Sequence, residues 1–275
     1  MKYTLKIFIA SFLFFSTLFA NSNSNIKIKN TIDKPFNLNI PTLVIIVNFK
    51  NINVYDKENN LIINNDIEEF EKIYYKKIFF NVNKYFKKEF KQYNSSLVLK
   101  PLNKSKSIYT IKLPFNFTTN TNIYDYINKN ILNKVYIKNK LNFKKLDINK
   151  DGYLDNKEFC LIYIYAANNK YITKDRYINK FSITSYSTGF SNSTTPFLDN
   201  LNILNYFHKG RYSVIAEYRY YKSLNQTHNN TGIIIHELLH SILDFKDTYV
   251  YKKHNKNDIM DEGQLNYNLK EVHIN

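Results

Sequence analysis

His236, Glu237 and His240 are the residues whose types and spacing carry the clearest chemistry. They form a His-Glu-x-x-His pattern inside Thr231-Gly232-Ile233-Ile234-Ile235-His236-Glu237-Leu238-Leu239-His240-Ser241-Ile242-Leu243. Residues four apart share a helix face, so both imidazoles can reach one tetrahedral zinc ion. Glu237 is too close to His236 to join it as a ligand, but it can reach a water on the open coordination position. Zinc lowers the pKa of such a water to about 7. Glu237 is then expected to act as general base, taking the proton and later delivering it to a leaving amine. The chain has 6 His among 275 residues, so an accidental match to this pattern is rare. Apolar residues at 233 to 235 and at 238 and 239 fit a helix buried beneath a metal.

The third ligand is open on spacing alone. Asp244, Asp247, His254, Asp258, Glu262 and Glu271 all lie downstream. Asp247 follows the helix closely enough for the chain to turn back under the metal. Glu262 fits a different arrangement, with a more distant glutamate.

A second constellation is the acidic loop Asp147-Ile148-Asn149-Lys150-Asp151-Gly152-Tyr153-Leu154-Asp155-Asn156-Lys157-Glu158. It matches a twelve-residue calcium loop. Asp147, Asn149 and Asp151 are the first oxygen donors, and Gly152 permits the sharp turn. Tyr153 offers its carbonyl, Asp155 acts through water, and Glu158 chelates with both oxygens. The exit, Phe159 to Ala166, reads as a strand and not as an amphipathic helix, and no second copy exists to pair with it. The expectation is a structural Ca2+ that pins a helix-to-strand connection.

Positioning these groups takes a mixed α/β (α+β) frame. Leu43 to Phe49 is a β-branched run, the pattern of a strand buried on both faces. Asp66 is placed to cap a helix through Phe80, with Glu68, Glu69 and Glu71 in its first turn. Asn81 or Asn83 starts another, through Tyr93. Strands are expected from Ser96 to Leu102 and from Ser107 to Leu113, the latter stopped by Pro114. A helix is expected from Ile123 to Leu146, and strands from Phe181 to Ser187 and from Arg211 to Tyr221. The motif helix begins near Asn230 or Thr231 and runs to about Leu243.

Composition sets the setting. Hydrophobic residues make up 44% and charged residues 23%, values of a globular and not a disordered chain. The net charge of +16 could serve a nucleic acid or an anionic membrane. The lysines, however, are spread along the chain without a stripe or a recognition motif, so no nucleic-acid partner is expected. Residues 1–20 read as a signal peptide, with Lys2 and Lys6 ahead of the apolar run from Ile7 to Phe19 and a small residue, Ala20, at the cut. The run is too short for a comfortable membrane span, and no other stretch is long enough. The mature chain, 21–275, is expected to be one catalytic domain without a transmembrane segment, secreted or periplasmic, and monomeric. Cys160 is the only cysteine, which rules out an intramolecular disulfide and reads as a buried, inert thiol.

Taken together, these segments resemble the immune inhibitor A family of secreted zinc metallopeptidases, within the wider metzincin-like group. Leu43 to Phe49 is similar to the family's early strand, and Asn81 to Phe90 to the helix before its next strand. Asp147 to Ala166 is similar to its Asp/Asn-Gly-Asp loop and following hydrophobic strand. The family follows the His-Glu-x-x-His helix with a Gly-Leu-Pro-Asp-type turn. Asp244-Phe245-Lys246-Asp247 resembles that turn without its glycine, which implies Asp247 as the third zinc ligand. Asp258-Ile259-Met260-Asp261-Glu262-Gly263 resembles the family's methionine turn and implies Met260 beneath the metal. The resemblance implies a metzincin-like zinc peptidase domain that cleaves a protein or peptide substrate. The alternative is a weak or inactive enzyme of that fold kept as an extracellular binding protein, against which the intact Glu237 argues.

Overall fold

The first strand, β1 (Asn37–Asn48), is the axis of the molecule. Its residues Leu43 to Val47 are wholly buried, as a β-branched run covered on both faces requires. A computed structural model of the chain describes residues 30, 32–49, 54–55, 61–62, 67–103, 106–114, 124–169, 182–183, 185–218, 220–221, 226–227, 231–248 and 258–260. Residues 1–20, expected to be a signal peptide, and the expected cap Asp66 lie outside them.

β1 sits inside a 7-stranded sheet. On one edge it pairs in parallel with β2 (Ser96–Pro101) and then with β3 (Ile108–Lys112). On the other edge it pairs in parallel with the strand that leaves the acidic loop. That loop contains the two-residue strand β4 (Tyr153–Leu154) and leads into β5 (Cys160–Asn169). Beyond β5 come β6 (Ser182–Ile183) and β7 (Tyr186–Thr188). A small second sheet holds β8 (Phe197–Leu198) and β9 (Leu201–Ile203), the latter parallel to β4. Finally β10 (Tyr212–Tyr218) runs parallel to β5 and antiparallel to β7.

Alternation along these strands separates two cores. Leu43, Ile45 and Val47 of β1 join Leu161, Tyr163 and Tyr165 of β5 and Val214 of β10 on one face. The helix α3, introduced below, covers that face. Val44 and Ile46 join Ile162, Ile164 and Ile215 on the other, together with the motif helix. The architecture is therefore mixed α/β, with helices on both faces of a mostly parallel sheet. Cys160 is buried, and burial pushes its thiol up to about 12, partly offset by a hydrogen bond with Thr42, so it is inert as expected.

Two helical expectations need correction. The two helices expected between 66 and 93 are one continuous helical run: α1 (Ile67–Tyr75), a π-helical stretch (Lys76–Val82) and α2 (Asn83–Lys91). Asn83 does not start a new helix. Its Nδ2 donates to the carbonyls of Phe79 and Leu99, each at 2.9 Å, and its Oδ1 accepts from Leu99 N at 2.8 Å. The amide that could have capped a helix instead sews the π-helical turn to β2. The helix expected from Ile123 to Leu146 is α3 (Tyr124–Asn139) and stops early. Lys140 turns left-handed at φ 48°, and Leu141 N closes back on the Tyr136 carbonyl. This is a Schellman-type end without its usual glycine, so no residue type announced it.

The motif helix, α4 (Thr231–Leu243), spans the expected residues. Ile233, Ile234, Ile235, Leu238, Leu239 and Ile242 bury it against the second core. Its end explains the glycine missing from the sequence: Asp244 takes the left-handed position at φ 54°, a conformation that Asp tolerates better than most non-glycine residues. Among the described residues no helix is long and apolar enough to cross a membrane.

Candidate metal centre

α4 turns His236 and His240 to the same side, and the chain after Asp244 brings Asp247 back to meet them. The two Nε2 atoms lie 3.0 Å apart. Asp247 Oδ1 is 3.1 Å from Nε2 of His236 and 3.2 Å from Nε2 of His240. Among the described residues this is the group of three His, Cys, Asp or Glu side chains whose ligand atoms all lie within 4.8 Å of one another, close enough to share a metal. His254, Glu262 and Glu271, the more distant alternatives, lie outside the described residues.

Backbone carbonyls set the ring orientations. His236 Nδ1 lies 2.9 Å from the Ile259 carbonyl, and His240 Nδ1 lies 2.6 Å from the Phe245 carbonyl. A carbonyl oxygen only accepts, so each Nδ1 carries the hydrogen and donates it. In the neutral ring each Nε2 is then a lone pair. Two lone pairs and a carboxylate oxygen thus converge within 3.0 to 3.2 Å of one another. Such a donor set repels itself unless it shares a cation. Nitrogen and carboxylate donors of this kind, with each imidazole oriented by a carbonyl on its far side, are a set that a metal ion could hold together.

A proton on Nε2 relieves the same crowding, and the electrostatics describe that protonated form, in which the rings donate to Asp247. Burial opposes a charge on His240, but the Asp247 hydrogen bond, with Glu237 and the Phe245 carbonyl, outweighs it and raises the ring's pKa. Burial also pushes Asp247 up, yet hydrogen bonds from His236 and His240 overcome it and hold the carboxyl well below the usual range. Burial raises Glu237, with the two histidines pulling it partly back. Glu237 is 5% exposed and stands beside the triad without entering it.

Segment 258–260 closes the floor. Asp258 Oδ1 accepts from Met260 N at 2.9 Å, and its Oδ2 accepts from Thr248 Oγ1 at 2.8 Å. The turn so formed points the Ile259 carbonyl at His236 and buries Met260 completely in the core under α4. Ser213, on β10, donates to the Glu237 carbonyl at 3.1 Å and pins the helix to the sheet.

Arg211 borders the site and was not foreseen. Its guanidinium pairs with Asp244 at 2.8 Å and lies over the Tyr206 ring, 5.7 Å from its centre. It is one of three arginines in a chain whose basic residues are otherwise lysine. That scarcity was the one available signal. The acidic loop does not reach the triad. Asn156 Oδ1, at the loop's far end, accepts from Arg211 N at 2.5 Å and so connects the two regions through the rim.

Compared with known proteins, the chain matches no family model, no curated protein and no solved structure.

Proposed function

We propose that this chain is an exported, zinc-dependent endopeptidase that hydrolyses peptide bonds in a protein or peptide substrate, with a metzincin-like active site resembling that of the immune inhibitor A family. The observation that carries the reading is the triad itself: two imidazole lone pairs and one carboxylate oxygen facing each other, with both rings locked in the metal-binding tautomer by carbonyls. His236, His240 and Asp247 would hold the metal. Zinc, when bound, supplies Lewis acidity and brings the pKa of water toward neutrality. In this reading Glu237 is the general base and not a ligand, which its place on the helix that carries both histidines, outside the triad, supports. Its carboxylate takes a proton from water and returns it to the leaving amine. The buried Met260 and the turn around it support the resemblance, because the Ile259 carbonyl of that turn holds the ring of His236. Residues 1–20 support export.

Metal removal tests the proposal. Treatment with a chelator should abolish cleavage of an unfolded protein substrate, and stoichiometric zinc should restore it where calcium alone does not. Cleavage that persists in zinc-free protein would refute the reading.

A further inference from the structure

The acidic loop contributes no residue to the triad, yet it is built with more order than a solvated turn. Asp147 accepts the backbone N–H groups of Asp151 at 3.2 Å and Gly152 at 3.3 Å, and Asp151 Oδ1 accepts that of Tyr153 at 2.9 Å. Gly152 stands at φ +83°, where a side chain would be strained. These contacts fold the loop but do not by themselves indicate a ligand.

Glu158 does. It is 6% exposed, and its Oε1 reaches back across the loop to accept from Ile148 N at 2.8 Å and Asn149 N at 3.2 Å. Its Oε2 is fully buried and has no hydrogen-bond partner among the described residues. A carboxylate oxygen removed from water without a partner is costly. Burial, the largest influence, together with the nearby Asp155, pushes its carboxyl pKa up even though backbone hydrogen bonds pull the other way.

The seventh position agrees with the twelfth. The carbonyls of Gly152 and Leu154 accept from Asn202 N at 2.9 Å and Leu204 N at 3.0 Å, which occupies the outer edge of β4. Carbonyls alternate along a strand, so that of Tyr153 faces away from β9 and is left for another partner. β9 thus braces this loop as a second copy would brace a paired one.

We propose that residues 147–158 hold one divalent cation of calcium's class, with side-chain oxygens from Asp147, Asn149, Asp151, Asp155 and Glu158 and the carbonyl of Tyr153. Several oxygens on a pliant loop, one carboxylate able to chelate through both atoms, suit calcium better than magnesium, which demands a tighter octahedron. The site stands independently of the zinc reading, because it shares no ligand with the triad.

The test uses calcium itself, on purified protein carrying Glu237→Gln to prevent self-digestion. Equilibrium dialysis should find one calcium per chain, in zinc-loaded and zinc-stripped samples alike. Calcium should raise the melting temperature, and Glu158→Gln should weaken calcium binding at least tenfold while leaving zinc content unchanged. Should Glu158→Gln fold poorly, terbium reports on the unaltered loop. Excitation through Tyr153 should give terbium luminescence that calcium quenches by competition and that Tyr153→Leu removes. No calcium bound at millimolar concentration, equal binding in a folded Glu158→Gln protein, or terbium emission indifferent to calcium would overturn the proposal. None of these results depends on peptidase activity.

Discussion

The triad and the acidic loop are both candidate cation sites, yet they are built in opposite ways. Every donor of the loop lies within twelve consecutive residues, Asp147 to Glu158, and the backbone N–H groups that orient its carboxylates come from the same stretch. The triad takes two donors from one helix. The groups that aim them, the carbonyls of Phe245 and Ile259, come from chain beyond its end. A local site depends on its own side chains, and a long-range site depends also on the packing that delivers its supports. The two should therefore fail differently.

The largest contrast is expected from the ligands. His240→Ala should leave the protein with little zinc and no measurable cleavage, while calcium binding to the loop persists. Metal analysis of that variant, with and without calcium, reads both effects at once. Loss of both metals together would mean that the sites are not separate.

The next effect sharpens the long-range side of the comparison. Asp258 is not a member of the triad, but it holds Met260 N and Thr248 and so fixes the Ile259 carbonyl on His236. Asp258→Asn should weaken zinc binding about 10- to 100-fold, the usual cost of losing an outer support. Zinc competition titration measures it. Unchanged affinity would show that the floor of the site does not orient the ring.

This division also explains what could be read from sequence. The loop, the helix Thr231–Leu243 and the strand through Leu43 to Val47 are local patterns of spacing or periodicity, and all three elements are where the pattern puts them. Spacing offered Asp247 among several downstream candidates and a resemblance singled it out, because a ligand on an irregular turn has no period. The supporting carbonyls of Phe245 and Ile259 were invisible, since a backbone carbonyl leaves no mark on residue type. One helix end, at Lys140, was obscured because a left-handed position usually taken by glycine is filled by another residue. The hairpin of β8 and β9 went unseen for the same reason: Asp199 and Asn200 turn it with φ of 55° and 65°.

A third prediction concerns pH in the cation-free protein. The folded-state pKa of Glu158 is raised above its ordinary value of 4.5. A raised carboxyl stabilises the fold while it is protonated. Its contribution is therefore complete below the unfolded pKa and is lost as pH rises through the higher folded value. Without calcium, stability should decline over that interval. With calcium, which prefers the ionised carboxylate, the trend should reverse. Melting curves of wild type and Glu158→Gln, with and without calcium, separate the cases. A calcium-independent slope would assign it to another group.

The smallest effect is expected at the bridge. Arg211 joins the loop to the end of α4 through Asn156 and Asp244, but Asp244 is largely exposed, and a pair of this kind contributes about 0–1 kcal/mol. Arg211→Ala should change stability little. If the rim passes order from loop to helix, the same variant should erase any effect of calcium on zinc affinity. If the two sites are independent, no such effect exists to erase.

Glu237→Gln tests the central claim most directly, because it separates holding a metal from using it. Zinc content and cleavage of an unfolded protein should be measured on the same preparation. The account predicts full zinc occupancy with cleavage reduced roughly 100- to 10,000-fold, the range for loss of a general acid–base group. Cleavage at the unaltered rate with zinc in place would contradict it.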